Sequence, residues 1–258
     1  MGQAYLTTLE KFTALFTDNP FMPRAAPQST SQDLFWWKQT LSRPELSRFI
    51  PEPHLVLDTA AYSDTSSEIG IGIVIGERWR AWCLLPGWKQ EGRDIGWAEA
   101  IGFFFLILAL VGENDGETHH RVYGDNQGVV EGWWKGRSRN TPTNEIFKQI
   151  HSTNKHHGTT FYTRYVASEY NPADGPSRGI YGPMSHLLPP VRIPCDLRNF
   201  VVDFDTPPTA EETRRAREGK TPKPLPKPLY LPNLQEQAQI KGELDRRAEE
   251  LFAQAQRW

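Results

Sequence analysis

The chain has 258 residues, with 29 Lys and Arg against 31 Asp and Glu, and its formal net charge at pH 7 is −2. This balance excludes a general basic surface, so any site for nucleic acid has to be local. The two cysteines, Cys83 and Cys195, form no CxxC pair. Their isolation argues against structural zinc and for a reducing compartment, either the cytoplasm or the nucleus. The longest apolar stretch, residues 101–111, is too short to cross a bilayer, so we expect no membrane segment.

Residues 1–50 predict a helical N-terminal arm. Apolar side chains recur at helical intervals in residues 5–16, and residues 32–46 carry a second set that includes two adjacent tryptophans. Prolines follow both segments and end them. We therefore expect this arm to precede the core domain.

Residues 51–187 predict an α/β domain. Short β-branched runs predict an antiparallel meander of three strands, and two later runs predict further strands. A strongly apolar segment and two amphipathic segments predict helices between these strands. The strands are predicted at residues 55–58, 69–75, 80–85, 121–124 and 159–167, and the helices at 96–111, 127–134, 142–155 and 172–178.

The composition changes again in residues 188–258. Prolines interrupt the chain repeatedly, and residues 221–232 carry prolines interleaved with lysines, which is typical of a semi-rigid polyproline II arm. Residues 234–258 predict a charged helix with only loose apolar periodicity. We expect this extension to lie outside the core and to dock, either within the chain or on a protein partner.

Four carboxylates lie where an apolar run ends or a helix begins: Asp58, Glu99, Asp125 and Asp174. A buried acid is costly unless a cation offsets its charge, and no run of Lys or Arg matches these four. Strand ends and the following helix starts converge at one edge of an α/β sheet, so the four acids can share a site. Oxygen ligands alone favour Mg²⁺ or Mn²⁺, and four acids suit two ions.

Structural roles are the alternative for each acid taken alone. Asp125 and Asn126 suit the N-cap of the helix that follows, and Glu99 suits the positive end of its own helix. Asp58 is harder to assign a structural role, because the residues around it are apolar. Asp64 and Glu68, by contrast, are expected to be solvated turn residues between two strands.

Five short segments give the chain a family resemblance. They are Leu57-Asp58-Thr59-Ala60, Trp97-Ala98-Glu99-Ala100, Tyr123-Gly124-Asp125-Asn126, Lys135-Gly136-Arg137-Ser138-Arg139-Asn140 and Asn171-Pro172-Ala173-Asp174-Gly175-Pro176-Ser177-Arg178. Together they resemble the ribonuclease H domain of retroelement reverse transcriptases, nearest to those of fungal, DIRS-like or Pao-like elements. In the arm, Asp33-Leu34-Phe35-Trp36-Trp37 resembles the connection that precedes this domain in such elements.

The resemblance implies an RNase H-like fold, a five-stranded mixed sheet with three antiparallel and then two parallel strands and with helices on both faces. It also implies a metal-dependent endonuclease that hydrolyses the RNA strand of an RNA–DNA hybrid with two Mg²⁺ or Mn²⁺ ions. Asp58 would bridge the ions, Glu99 and Asp125 would hold one, and Asp174 would hold the other. Contacts to 2′-hydroxyl groups would select RNA, and Thr59, Ala60, Asn126 and Gln127 are the residues expected to make them.

A local basic and aromatic cluster follows the third acid. Trp133, Trp134, Lys135, Arg137 and Arg139 suit a grip on the DNA strand through phosphate contacts and stacking. One of the two tryptophans should face the core instead, because adjacent helical positions point about 100° apart.

Two other classes of function stay open. The chain suits a catalytically silent RNase H-like module that binds nucleic acid or serves as a scaffold. It also suits an adaptor whose function lies in the proline arm and C-terminal helix.

Overall fold

The computed structural model describes residues 2–43, 55–113 and 118–206, which contain a six-stranded mixed sheet. The strands are β1 (Leu57–Thr65), β2 (Gly70–Ile75), β3 (Arg78–Leu84), β4 (His119–Gly124), β5 (Thr160–Tyr165) and β6 (Val201–Asp203). Their order across the sheet is β5-β4-β1-β2-β3-β6. β1, β2, β3 and β6 pair antiparallel, whereas β4 pairs parallel to β1 and β5 parallel to β4. The α/β class and the first five strands were predicted, and β6 was not.

Four helices follow the strands: α3 (Ile95–Glu113), α4 (Gln127–Trp134), α5 (Thr141–His157) and α6 (Asp174–Ser177). Local chemistry sets several of their ends. The Asp94 carboxylate accepts a hydrogen bond from the backbone NH of Trp97 at 3.0 Å, which caps α3. Asn126 and Asn140 cap α4 and α5 in the same way. Gly158 ends α5 in the left-handed conformation, with φ of 64°.

α3 is the central element of the hydrophobic core. It is long and apolar enough to cross a membrane, but 72% of its most apolar window is buried inside the fold. Ile101, Phe105 and Leu106 are fully buried, and they belong to the same apolar cluster as Ile71 of β2 and Phe147 of α5. The apolar character of α3 is therefore that of a helix covered by the sheet on one side and by other helices elsewhere.

The N-terminal arm contains a short 3-10 helix at Gly2–Tyr5 and two α-helices, α1 (Thr7–Ala14) and α2 (Gln28–Leu41), and it contacts α5. The side-chain amide of Asn144 on α5 donates to the carbonyl of Ala4 at 2.8 Å. Lys148, also on α5, lies 2.7 Å from the Asp33 carboxylate, and both residues are buried. Thr8 donates to the same carboxylate. The predicted helices of the arm are present, and a buried ion pair fixes them to the α/β domain.

The predicted C-terminal boundary of the core, at residue 187, is wrong. Leu188, Leu197 and Val201 are at most 2% exposed and belong to the main apolar cluster. β6 extends the sheet beside β3, and the buried guanidinium of Arg80 lies 2.5 Å from the carboxylate of Asp203. The core thus continues to about residue 206. The predicted proline arm at 221–232 and helix at 234–258 lie outside the described residues.

β1 differs most from its prediction. A strand was expected at residues 55–58 alone, but β1 runs to Thr65 and forms a hairpin with β2, closed by a hydrogen bond from the Ser66 NH to the Gly70 carbonyl at 2.8 Å. Ser63, Asp64 and Thr65 are buried in this strand. Aspartate is depleted in strands and residues 63–68 are all polar, which is why the sequence predicted a turn there.

Candidate metal centre

Three carboxylates meet at one edge of the sheet. In the parallel pairing of β1 and β4, Ser63 lies opposite Gly124, so the next residues, Asp64 and Asp125, lie side by side. Glu99 projects from α3 toward the same edge. One carboxylate oxygen from each of Asp64, Glu99 and Asp125 lies within 4.8 Å of the others. Glu99 and Asp125 were expected to meet, and the structure brings them together.

α3 can bring Glu99 to this edge because it runs close to β1. At Gly102, an added Cβ would lie 3.4 Å from the Thr65 hydroxyl and 3.5 Å from the Ser63 Cβ. These are ordinary van der Waals distances, so α3 lies directly against β1 at this point. The backbone NH of Thr65 also hydrogen bonds to the Glu99 carboxylate.

Burial makes ionisation of two of these acids unfavourable. Asp64 is 4% exposed and Glu99 is 5% exposed. Desolvation is the main cause that raises the pKa of Asp64 to about 7, with a further rise from the charge of Asp125. Desolvation also raises the pKa of Glu99 well above its usual value, and the charges of Asp64 and Asp125 add to the rise. A cation placed among the three acids would reverse this effect.

Hydrogen bonds satisfy some of the carboxylate oxygens and leave one open. The hydroxyl of Ser177 donates to Asp64, and that of Ser168 donates to Asp125. Among the described residues, nothing hydrogen bonds to Oε2 of Glu99, which is fully buried. A buried acceptor without a partner is uncommon in a stable fold. This oxygen and its two neighbours form an all-oxygen donor set that fits Mg²⁺ or Mn²⁺.

Asp174 lies beside this trio at the start of α6. Its charge contributes to the raised pKa of Asp64, so it belongs to the same electrostatic environment. Its own carboxylate is paired with Arg178, whose Nε lies 2.6 Å from Oδ1. Gly72 of β2 lets α6 pack this closely, because an added Cβ there would lie 2.5 Å from the backbone nitrogen of Ser177.

Asp58 does not join the other acids, which corrects the prediction. It accepts a hydrogen bond from the Tyr123 hydroxyl at 2.7 Å and lies 3.2 Å from Arg121. It lies six residues before Asp64 on β1, and a register shift shortens this run, so that Leu57 to Ser63 spans four residues of β4, about 13 Å at the rise of a strand. Thr59 and Ala60, predicted to contact RNA beside the acids, lie at that distant end as well.

Asp64 takes the place that was predicted for Asp58. The sequence contained one signal for it. The alternating run at residues 69–75 needs an adjacent antiparallel partner, and a short hairpin turn places the end of that partner near residue 65. The expectation that Asp64 is a solvated turn residue is therefore wrong.

The two residues that follow Asp125, Asn126 and Gln127, make hydrogen bonds within the fold. The side chain of Asn126 accepts a hydrogen bond from the backbone NH of Val129, so the N-cap of α4 is Asn126. The Gln127 side-chain amide donates to Glu131 at 2.7 Å. Both residues still border the carboxylates through their position in the chain.

The two tryptophans divide as predicted. Trp133 packs against the core and donates its indole NH to the Phe161 carbonyl at 3.0 Å. Trp134 is 56% exposed and donates to the Thr163 carbonyl at 3.2 Å. Both bonds are made to the outer edge of β5.

The three basic residues of the predicted cluster have different neighbours. Lys135 pairs with Glu131 on its own helix at 3.3 Å. Arg137 pairs with Glu10 of the N-terminal arm, and the Arg139 carbonyl accepts a hydrogen bond from Lys11 of that arm. The basic cluster therefore adjoins the arm as well as β5.

Comparison with known proteins adds no relative to this description: no protein-family model matches the chain, and neither does any curated protein.

Proposed function

We propose that this protein is a metal-dependent phosphodiester hydrolase that cleaves the RNA strand of RNA–DNA hybrids, in the manner of a retroelement ribonuclease H. One observation carries the proposal: Asp64, Glu99 and Asp125 converge from β1, α3 and β4, and a buried oxygen of Glu99 has no partner among the described residues. With Asp64 in place of Asp58, the order Asp, Glu, Asp, Asp along the chain is preserved. The mixed sheet is compatible with this class of fold.

Each acid has a definite position in the proposed mechanism. Asp64 is central, because it lies beside Asp125 and within the field of Asp174. Glu99 and Asp125 would complete one ion site, and Asp174 would contribute to a second. Two bound Mg²⁺ ions would supply an activated water and stabilise the leaving oxygen of a phosphodiester.

The neighbouring hydroxyl groups orient the carboxylates. Ser177 donates to one oxygen of Asp64 and Ser168 to one oxygen of Asp125, and these bonds would hold the two carboxylates in position around a cation. The specificity for RNA would come from contacts to 2′-hydroxyl groups along one strand.

Cleavage of a hybrid whose RNA strand carries a 5′ label tests the proposal. The wild-type chain is expected to cut the RNA in Mg²⁺ or Mn²⁺ and to be inactive in EDTA. Glu99→Gln and Asp125→Asn should each abolish cutting with the fold retained by circular dichroism. Asp58→Asn is the matched control and should cut as the wild type does. If Asp125→Asn cuts at the wild-type rate, the proposal is wrong.

One contact favours the silent module as a second candidate. Arg178 already pairs with Asp174. The chain itself therefore supplies part of the positive charge that a second metal ion would bring to this carboxylate. A silent module would bind hybrid with steep salt dependence and leave the RNA intact in either metal.

A further inference from the structure

Arg178 places a positive charge directly beside the carboxylate cluster. Its Nε lies 2.6 Å from Oδ1 of Asp174, four residues earlier in the chain. The hydrogen bond to Asp174 is the main cause that raises the pKa of this guanidinium, and the charges of Asp64 and Asp125 add to the rise. An arginine side chain is always charged in proteins. The chain itself therefore holds a permanent cation within the field of these carboxylates.

The backbone around Asp174 is fixed by its neighbours. The side-chain amide of Asn171 donates to the Ser63 carbonyl on β1 at 2.9 Å, and its side-chain oxygen accepts from the Ala173 NH at 3.2 Å. Asn171 and Ala173 are at most 3% exposed. The turn that carries Asp174 is therefore tied to the strand that carries Asp64, and a change of the cation beside Asp174 needs no movement of this turn.

The Arg178 side chain, by contrast, is free to leave its partner. It is 50% exposed, and the Asp174 side chain is 22% exposed. An ion pair this open to water contributes little to stability. Arg80 gives the comparison, because its side chain is 3% exposed and donates to the Leu188 carbonyl at 2.8 Å. Arg178 can therefore turn into solvent at little cost, whereas Arg80 cannot.

Arg178 and a divalent cation would compete for the same carboxylate. Oδ1 of Asp174 already accepts from Arg178, and Mg²⁺ or Mn²⁺ would bind this carboxylate through its oxygens directly. Two positive charges at such close range repel each other, and water screens only part of the repulsion. Of the two cations, the guanidinium has solvent beside it. Loading of an ion at Asp174 therefore requires Arg178 to withdraw.

We propose that Arg178 is an internal counter-ion of the metal centre, which takes the place of the second divalent cation in the metal-free protein and weakens the binding of that cation. The presence of a second ion at Asp174 rests on the proposed function. Arg178 adds an order of loading to it. The trio of Asp64, Glu99 and Asp125 binds its ion first, and Asp174 accepts the second only at a higher concentration of the divalent cation.

Titration of the full chain with Mn²⁺, followed by the electron paramagnetic resonance signal of the free ion, tests the inference without any nucleic acid. Arg178→Gln removes the charge and keeps a polar side chain. We expect this variant to bind the second Mn²⁺ about tenfold more tightly than the wild type, which equals about 1.4 kcal/mol. A much larger change is not expected, because half of the Arg178 side chain is exposed and water screens its charge.

Three further variants control the measurement. Arg178→Lys keeps the positive charge and should bind the second ion about as weakly as the wild type does. In an Asp174→Asn background, Arg178→Gln should not tighten Mn²⁺ binding, because the acid that both cations share is absent. Arg192→Gln removes an exposed arginine that lines a cleft with Gly112 and Glu113 at the other end of α3, and it should leave both Mn²⁺ affinities unchanged.

The possible outcomes separate this inference from the hydrolase proposal. Tighter binding of the second Mn²⁺ by Arg178→Gln supports the counter-ion role even if the wild type never cuts a hybrid. Equal or weaker binding by Arg178→Gln, or the absence of a second ion in both proteins, overturns the role and leaves hydrolysis to the cleavage assay. An equal gain in Arg192→Gln also overturns it, because the effect would then be one of overall charge. Matching thermal unfolding curves in EDTA establish that each variant is folded.

Discussion

Replacing Asp64 with asparagine should stabilise the metal-free protein at neutral and alkaline pH. The folded-state pKa of Asp64 is raised to about 7 from its ordinary value of 3.8, mainly because the carboxyl is buried. Between these two values the folded chain holds a proton that the unfolded chain has lost. The free energy of unfolding therefore falls as pH rises from about 4 to about 7. The Asp64→Asn variant has no such proton to lose, so its stability should not fall in this way.

The size of the effect follows from the shift. At about 1.4 kcal/mol per pKa unit, a rise from 3.8 to about 7 gives a ceiling of about 4 kcal/mol. The variant should approach this advantage above pH 7 and lose it near pH 4, where the wild-type carboxyl is protonated in both states. For a chain of this size, each kcal/mol corresponds to a change in Tm of about 2–4 °C.

Thermal unfolding in EDTA and in Mg²⁺ or Mn²⁺, across this pH range, is the assay. Metal should raise the Tm of the wild type above pH 7, by an amount that grows with metal concentration, and should not raise that of Asp64→Asn. An Asp64→Asn variant that is less stable than the wild type at pH 8 in EDTA would refute the electrostatic argument. An equal metal response in both proteins would place the cation elsewhere.

Three further substitutions and one control variant test separate parts of the structure. Asp58→Asn should keep the metal-dependent rise in Tm and lower the free energy of unfolding by less than about 1 kcal/mol, since its ion pair is partly exposed. Lys148→Met should cost about 3–5 kcal/mol in urea unfolding, because it leaves the Asp33 carboxylate buried without its cation. Lys155→Met, exposed near the end of the same helix, should cost less than about 1 kcal/mol. Gly72→Ala should displace α6 and lower the rate of hybrid cleavage about tenfold or more, measured with the labelled hybrid.

Elements that are apolar throughout were predictable from the sequence. α3 was expected at residues 96–111 and spans Ile95–Glu113, and β2 was expected at 69–75 and spans Gly70–Ile75. In both, nearly every side chain is apolar and buried, so propensity and packing favour the same structure. That one of the two adjacent tryptophans would face the core followed from helix geometry, and the structure shows that it is Trp133.

The segment after residue 187 was not predictable in this way. Its prolines predict an extended arm, and that prediction overlooks three isolated apolar residues, Leu188, Leu197 and Val201, that the core buries. No local period connects residues spaced nine and four apart. β6 is held by long-range contacts, including the pair of Arg80 with Asp203 across 123 positions of sequence. Only the tertiary structure supplies these partners.

The misassigned acid shows what sequence spacing leaves undetermined. Asp58 and Asp64 lie six residues apart on one strand, so strand alternation places both on the same face and does not distinguish them. What distinguishes them is the parallel register that sets Ser63 opposite Gly124, because only the residue after Ser63 then lies beside Asp125. The apolar residues before Asp58 suggested burial, yet its side chain is 34% exposed while Asp64 is 4% exposed. Buried polar residues at the end of a central strand, such as Ser63 and Asp64 of β1, are unfavourable for folding. Local rules of this kind are broken mainly at functional sites, and here the broken rule coincides with the carboxylate cluster.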